Sequence, residues 1–193
     1  MCDAGQALMG YFYFDFRDIN KQHWRDLVSS LLIQFSAQSS PHRDILSHLH
    51  SNYDGGAVWP NDDILALCLK DMLTLTDQRP IYLIFDALDE CSNVYGIPTS
   101  RERVLQLVVE LVNLQIPNLH ICVTSRPEVD IQYVLEPLTS DRVSLHDQSG
   151  QMKDIEDYVR SFVYSNSEPI VRRWRKEDKE YVIDTLSERA DGM

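Results

Sequence analysis

Residues Tyr82 to Cys91 read YLIFDALDEC, and how this stretch is read decides the fold. With Ile81 in front it is an unbroken apolar run that ends in three carboxylates, Asp86, Asp89 and Glu90. The run IYLIFD has no polar alternation. A strand of that kind is expected to be buried on both faces, as in a parallel sheet covered by helices. Two readings of its acidic end compete. Asp at a strand end can simply start a solvated turn. Alternatively, a buried strand delivers hard oxygen ligands to a Mg²⁺ ion, which takes one or two carboxylates and keeps several waters. A second acid a few residues on then orients or deprotonates an attacking water.

Upstream, the aromatic run YFYFDF at 11–16 predicts a strand bounded by Arg17 and Asp18. From Trp24 the apolar positions Leu27, Val28, Leu31, Leu32 and Phe35 follow the steps of an amphipathic helix. Residues 36–60 are rich in Ser, Pro, His and Gly and read as loop, with a short helix over 42–50. A further helix is expected over 62–75. Downstream, Thr99 and Glu102 have capping-box spacing and open a helix running to about Leu114. LHICVT at 119–124 predicts the next strand, followed by SRPE, a short helix at 128–136 and a strand RVSL at 142–145. Strands alternating with helices imply an α/β fold with crossover connections. Helical patterns over 150–164 and 176–190 lack strands, so the expected organisation is an α/β core over 1–147 and a helical extension over 148–193.

Composition narrows the classes. Charged residues make up 25% of the 193, hydrophobic ones 44%, and the net charge is −12. These are values of a folded domain, and the acidic balance argues against a basic nucleic-acid surface. No apolar run reaches the length of a membrane span, and the first residues have neither a basic nor an apolar signal-peptide region. Four cysteines without CxxC spacing point to a reducing, cytoplasmic setting.

In a parallel α/β sheet, ligands lie beyond the carboxyl ends of the strands. That rim would gather Asp86, Ser125, Arg126 and the Asp15–Arg17–Asp18 group. At this point a family resemblance emerges. YLIFDALDE resembles the Walker B strand of NACHT-type signalling NTPases, a class of P-loop NTPases, and HICVTSRPE resembles their sensor 1 strand. FYFDFRD is similar to the strand after their P-loop helix, and ERADGM to the start of a helical-domain motif. The likeness is nearest to fungal NACHT proteins and nephrocystin-like N-terminal domains. It implies ATP or GTP with Mg²⁺ as ligand, Asp86 on the metal, Glu90 as base, Asp89 as a supporting acid and Arg126 sensing the γ-phosphate. Ser125 and, more weakly, Arg17 would complete the nucleotide-binding rim. It further implies a sheet of order 5-1-4-3-2, an oligomerising switch, and helical or repeat domains as partners.

A phosphate-binding loop needs G-x-x-x-x-G-K-[ST]. None of the five lysines, Lys21, Lys70, Lys153, Lys176 and Lys179, follows a glycine. Gly5 and Gly10 have the right spacing, yet Tyr11 and Phe12 stand where Lys and Ser/Thr belong. The expectation is a chain that begins downstream of strand 1 and its loop, with 11–16, 81–86 and 119–124 forming a contiguous parallel sheet. A chain of this kind is expected to be inactive or weak by itself. A non-catalytic scaffold that retains the fold is the alternative. Weaker features have plainer readings. His42, His48 and His50 suit a surface helix better than a zinc site. RRWRK at 172–176 suits a solvated helix entry, and Ile155, Tyr158, Val159 and Phe162 suit a helical packing face.

Overall fold

A computed structural model describes residues 7–75, 79–94, 96–144, 149–165 and 170–189. The chain divides into two compact units, Met1–Thr139 and Ser140–Met193.

In the first unit three strands, β1 (Leu8–Tyr13), β2 (Ile81–Asp86) and β3 (Leu119–Val123), form a parallel sheet in the order β1-β2-β3. Leu8 pairs with Ile81 and Tyr13 with Asp86; Ile81 in turn pairs with Leu119 and Phe85 with Val123. The three expected strands therefore are contiguous and parallel. The first begins three residues earlier than its aromatic run suggests and ends earlier too. Phe14 N–H makes a last bond to Asp86 O. Asp15 Oδ1 then accepts the Arg17 N–H at 2.9 Å, a local turn that competes with further pairing.

Helices α1 (Trp24–Gln38), α2 (Ser40–Asn52) and α3 (Asp62–Leu73) connect β1 to β2. The crossover from β2 to β3 is α4 (Ser100–Asn113), and α5 (Val129–Leu135) follows β3. Two of these starts are written in the sequence. Asn61 Oδ1 accepts Ile64 N–H at 2.9 Å at the head of α3. Thr99 and Glu102 exchange side-chain and backbone bonds at the head of α4, as their spacing predicts. One core unites the α1, α3 and α4 stripes (Leu27, Leu31, Phe35; Leu69, Met72; Val104, Leu111) with Leu8, Ile81, Leu83 and Phe85. Gly10 of β1 sits where α1 comes closest: a Cβ there would lie 2.8 Å from Leu31 Cδ2 and 3.0 Å from Phe35 Cζ. That glycine belongs to a strand. Its spacing with Gly5 has no phosphate-loop meaning, and Gly5 lies outside the described residues.

Three expectations are corrected. The sheet is covered on one face only among the described residues: Ile81, Leu83 and Phe85 are buried, whereas Tyr82 is exposed and Ile84 half-buried. An uninterrupted apolar run carries no phase, so it cannot say that helices cover one side. Residues 142–144 are not strand, and Leu145 lies outside the described residues. His42 departs from the surface reading as well: it is buried and stacks on Phe35, whereas His48 and His50 are exposed.

The second unit holds α6 (Ser149–Tyr164) and α7 (Lys176–Arg189), which pack together around Val163 and Ile183. Arg160 joins Glu156 of its own helix at 3.0 Å and Glu180 of α7 at 3.1 Å. The expected packing face is split. Ile155 and Val159 are half-buried in line with Val163, but Tyr158 and Phe162 are exposed. Residues 172–176 are an exposed lead into α7. Among the described residues no helix is long and apolar enough to cross a membrane.

Candidate functional site

The carboxyl ends of β2 and β3 lie side by side, and the acidic turn forms there. Asp86 closes β2 with its side chain on the exposed face. The Thr124 hydroxyl donates to Asp86 Oδ1 and accepts Ala87 N–H at 3.0 Å. Ala87 then takes a left-handed conformation, φ 54° and ψ 47°, which is costly for a residue with a Cβ. That reversal lets Leu88 turn back into the core, fully buried, with its N–H on Thr124 O at 3.0 Å. A single 3₁₀ turn, Leu88–Glu90, presents the next two acids in different directions.

Asp89 faces β3. Its carboxylate accepts Arg126 N–H at 3.0 Å and stands 3.4 Å from Arg126 Nε; the Asp89 side chain is largely covered, that of Arg126 largely exposed. Ser125 turns its hydroxyl onto Arg126 O at 2.6 Å. Glu90 faces the opposite way, and its Oε2 accepts Phe16 N–H at 3.1 Å. The same loop is tied down again where Ser92 N–H reaches Gln22 O. Arg17 forms a two-point pair with Asp15, 3.0 and 3.2 Å. That bonding holds the Asp15 carboxyl below the usual carboxylate range and raises the guanidinium still further, with Glu90 adding a smaller attraction.

Asp86, Asp89, Ser125 and Arg126 are thus brought together across β2 and β3, and Glu90 and Arg17 belong to the side next to β1. Burial pushes the Cys91 thiol up to about 12 and that of Cys68 to about 11, so both stay protonated and unreactive at neutral pH.

Asp86 and Thr124 offer a carboxylate and a hydroxyl on a solvent-facing rim. Such hard oxygens suit Mg²⁺, which completes its shell with water and phosphate. Among the described residues no group of three or more His, Cys, Asp or Glu is gathered as a metal cage.

Two contributors escape a reading of the sequence alone. Thr124 belongs to the TSRP run, but its role depends on a partner 38 positions away. Arg101 lies in the first turn of α4, where the helix dipole disfavours a cation. A basic residue in that place, next to a capping box, was the available signal.

The architecture defines an α/β domain with a parallel sheet and an acid-rich carboxyl rim. The family model "Nephrocystin 3, N-terminal" matches residues 2–126, a span that takes in all three strands and both halves of the rim. The chain belongs to this NACHT-like family. No curated protein and no solved structure matches it.

Proposed function

We propose that this chain is the distal part of a NACHT-like, nucleotide-dependent signalling switch. The observation that carries the reading is the meeting of Asp86 with Thr124, and of Asp89 with Arg126, at the ends of two adjacent parallel strands. In this reading Asp86 holds Mg²⁺ of a bound ATP or GTP, which neutralises phosphate charge. Glu90 is the candidate base and Asp89 its supporting acid. Arg126 and Ser125, with Arg17 at the margin, face the terminal phosphates. β3 supports the arrangement as well. Thr124 N–H and Asn118 O bond to β2, so the backbone groups of Leu119, Ile121 and Val123 point away from it. No described strand pairs with that edge. A strand that brings a phosphate-binding loop would add there, in a cytoplasmic protein whose helical or repeat partners read the switch.

A second reading, a scaffold that keeps the fold without catalysis, is favoured by one specific fact. Asp89 and Glu90 both already serve as acceptors for backbone N–H groups of neighbouring loops.

Manganese titration followed by amide NMR separates the two. The switch reading expects selective broadening at Ala87 and Thr124, lost in Asp86→Asn, with Mg·ATP binding no tighter than about millimolar and no turnover in residues 1–193, because most phosphate contacts come from a loop and lysine. Absence of selective broadening supports the scaffold. Micromolar Mg·ATP binding that depends on Asp86 would instead demand a different phosphate grip.

A further inference from the structure

Arg101 is one of two buried polar side chains among the described residues. Desolvating a guanidinium costs several kcal/mol unless good partners surround it. Here the partners are specific. One terminal nitrogen donates to Asp89 O, Nε donates to Cys91 O at 3.3 Å, and the other terminal nitrogen meets Asp130 Oδ2 at 3.3 Å. Its own N–H bonds to Ser92 O at 3.1 Å. A single side chain therefore grips the acid turn after β2 at two carbonyls and the first turn of α5 at a carboxylate. These two segments flank the Asp89–Arg126 contact: Asp89 bears one of the gripped carbonyls, and Asp130 stands four residues beyond Arg126.

We propose that Arg101 is the positioning residue of the rim: it holds the acid turn and the segment after β3 in register, and so sets Arg126 against Asp89. Its planar fork reaches three acceptors in fixed directions, which a lysine can satisfy only in part. The geometry ties the cation to the Asp89–Arg126 ion pair, which links the β2 and β3 sides of the site. Calling that contact part of a nucleotide site rests on the proposed function, whereas the positioning itself does not.

The test compares the full chain with Arg101→Met, Arg101→Lys and Asp130→Asn, using amide exchange and manganese broadening. In Arg101→Met the amide of Arg126 is expected to exchange at least about tenfold faster than the general loss of protection at residues 83–85. Arg101→Lys should recover part of that factor, and Asp130→Asn should show a smaller, local effect confined to 126–132. Manganese should still broaden Ala87 and Thr124 in Arg101→Met, but spare the displaced Arg126 amide. A uniform rise in exchange, equal at Arg126 and at 83–85, overturns the inference and leaves Arg101 a fold staple. So does a lysine variant no better than methionine. If Arg101→Met does not fold, the lysine and Asp130→Asn variants decide by the same local-versus-uniform pattern. Loss of manganese broadening in the wild type, with the Arg126 effect intact, overturns the nucleotide reading and leaves the positioning role standing.

Discussion

The two faces of β2 are built from neighbouring residues of nearly the same hydrophobicity, yet they have opposite fates. Ile81, Leu83 and Phe85 lie in the core with residues of α1, α3 and α4. Tyr82 and Ile84 look the other way, onto a face that also shows Tyr11, Tyr13, His120 and Cys122. Tyr82 there stacks on its register partner His120, centroids 5.0 Å apart, the kind of cross-strand pair that stabilises a sheet locally. The lesson is that hydrophobicity alone does not bury a side chain; a covering layer does.

The sheet's two edges repeat the contrast. Alternate residues of β1 turn their backbone outward, and α1 meets them with two glutamines one helical turn apart. Gln34 accepts Tyr11 N–H at 3.0 Å and donates to Tyr11 O at 2.8 Å; Gln38 does the same for Met9 at 2.9 and 2.6 Å. The two amides imitate a fourth strand. Gly10 makes this possible by letting α1 lie close to β1. β3 has no described cover of that kind, and its sequence LHICV contains neither charge nor proline, the usual protections of an open edge.

The sharpest way to break the comparison of faces is truncation on each side. Phe85→Ala should cost about 3–5 kcal/mol, the range for a buried aromatic. Tyr82→Ala should cost about 1 kcal/mol or less. Denaturant midpoints at constant slope check both, and equal losses would mean that the second face is covered in solution.

The edges differ by a smaller amount. Replacing Gln34 and Gln38 together by Leu removes the four bonds to β1, each of modest net worth because the edge is reached by water. About 1–3 kcal/mol should be lost. Sedimentation should also show new self-association, as β1 becomes an open edge. A stable, unchanged sedimentation profile would show that the glutamines do not guard it.

The smallest effect concerns pH. The Lys70 ammonium, 2.5 Å from Glu110, and then Gln106 hold the Glu110 carboxyl below its usual 4.5. A carboxyl depressed in the folded state stabilises above the ordinary value and loses that contribution as pH falls through its folded one. Both side chains are partly exposed, so a few tenths of a kcal/mol are expected. Wild-type and Lys70→Met stabilities should therefore differ slightly near pH 7 and converge toward pH 3.

Much of the fold was legible because local rules are strong where they apply. The stripe from Trp24 to Phe35, the Thr99–Glu102 box and the bounded runs at 81–86 and 119–123 each specify an element through residues close in sequence. The rim residues were legible too, since acids and an arginine after apolar runs stand out against them. β1 was misplaced because its start rests on Leu8 and Gly10, an unremarkable pair until α1 packs against it. RVSL looked like a strand on propensity alone, and residues 142–144 form none. β-favouring character by itself does not make a strand.

By itself, then, the sequence determined where the helices lie, that β2 and β3 are followed by acids and by Arg126, and which family the chain resembles. Those features are encoded in spacing and end signals within a few residues of each other. Only the tertiary structure decided which face of β2 is covered, that glutamines close one edge, that Thr124 holds Asp86, and that a buried Arg101 sets Asp89 against Arg126. Each of these depends on groups at least ten positions apart meeting in space, and a continuous apolar run or a lone helical arginine carries no record of the partner it will meet.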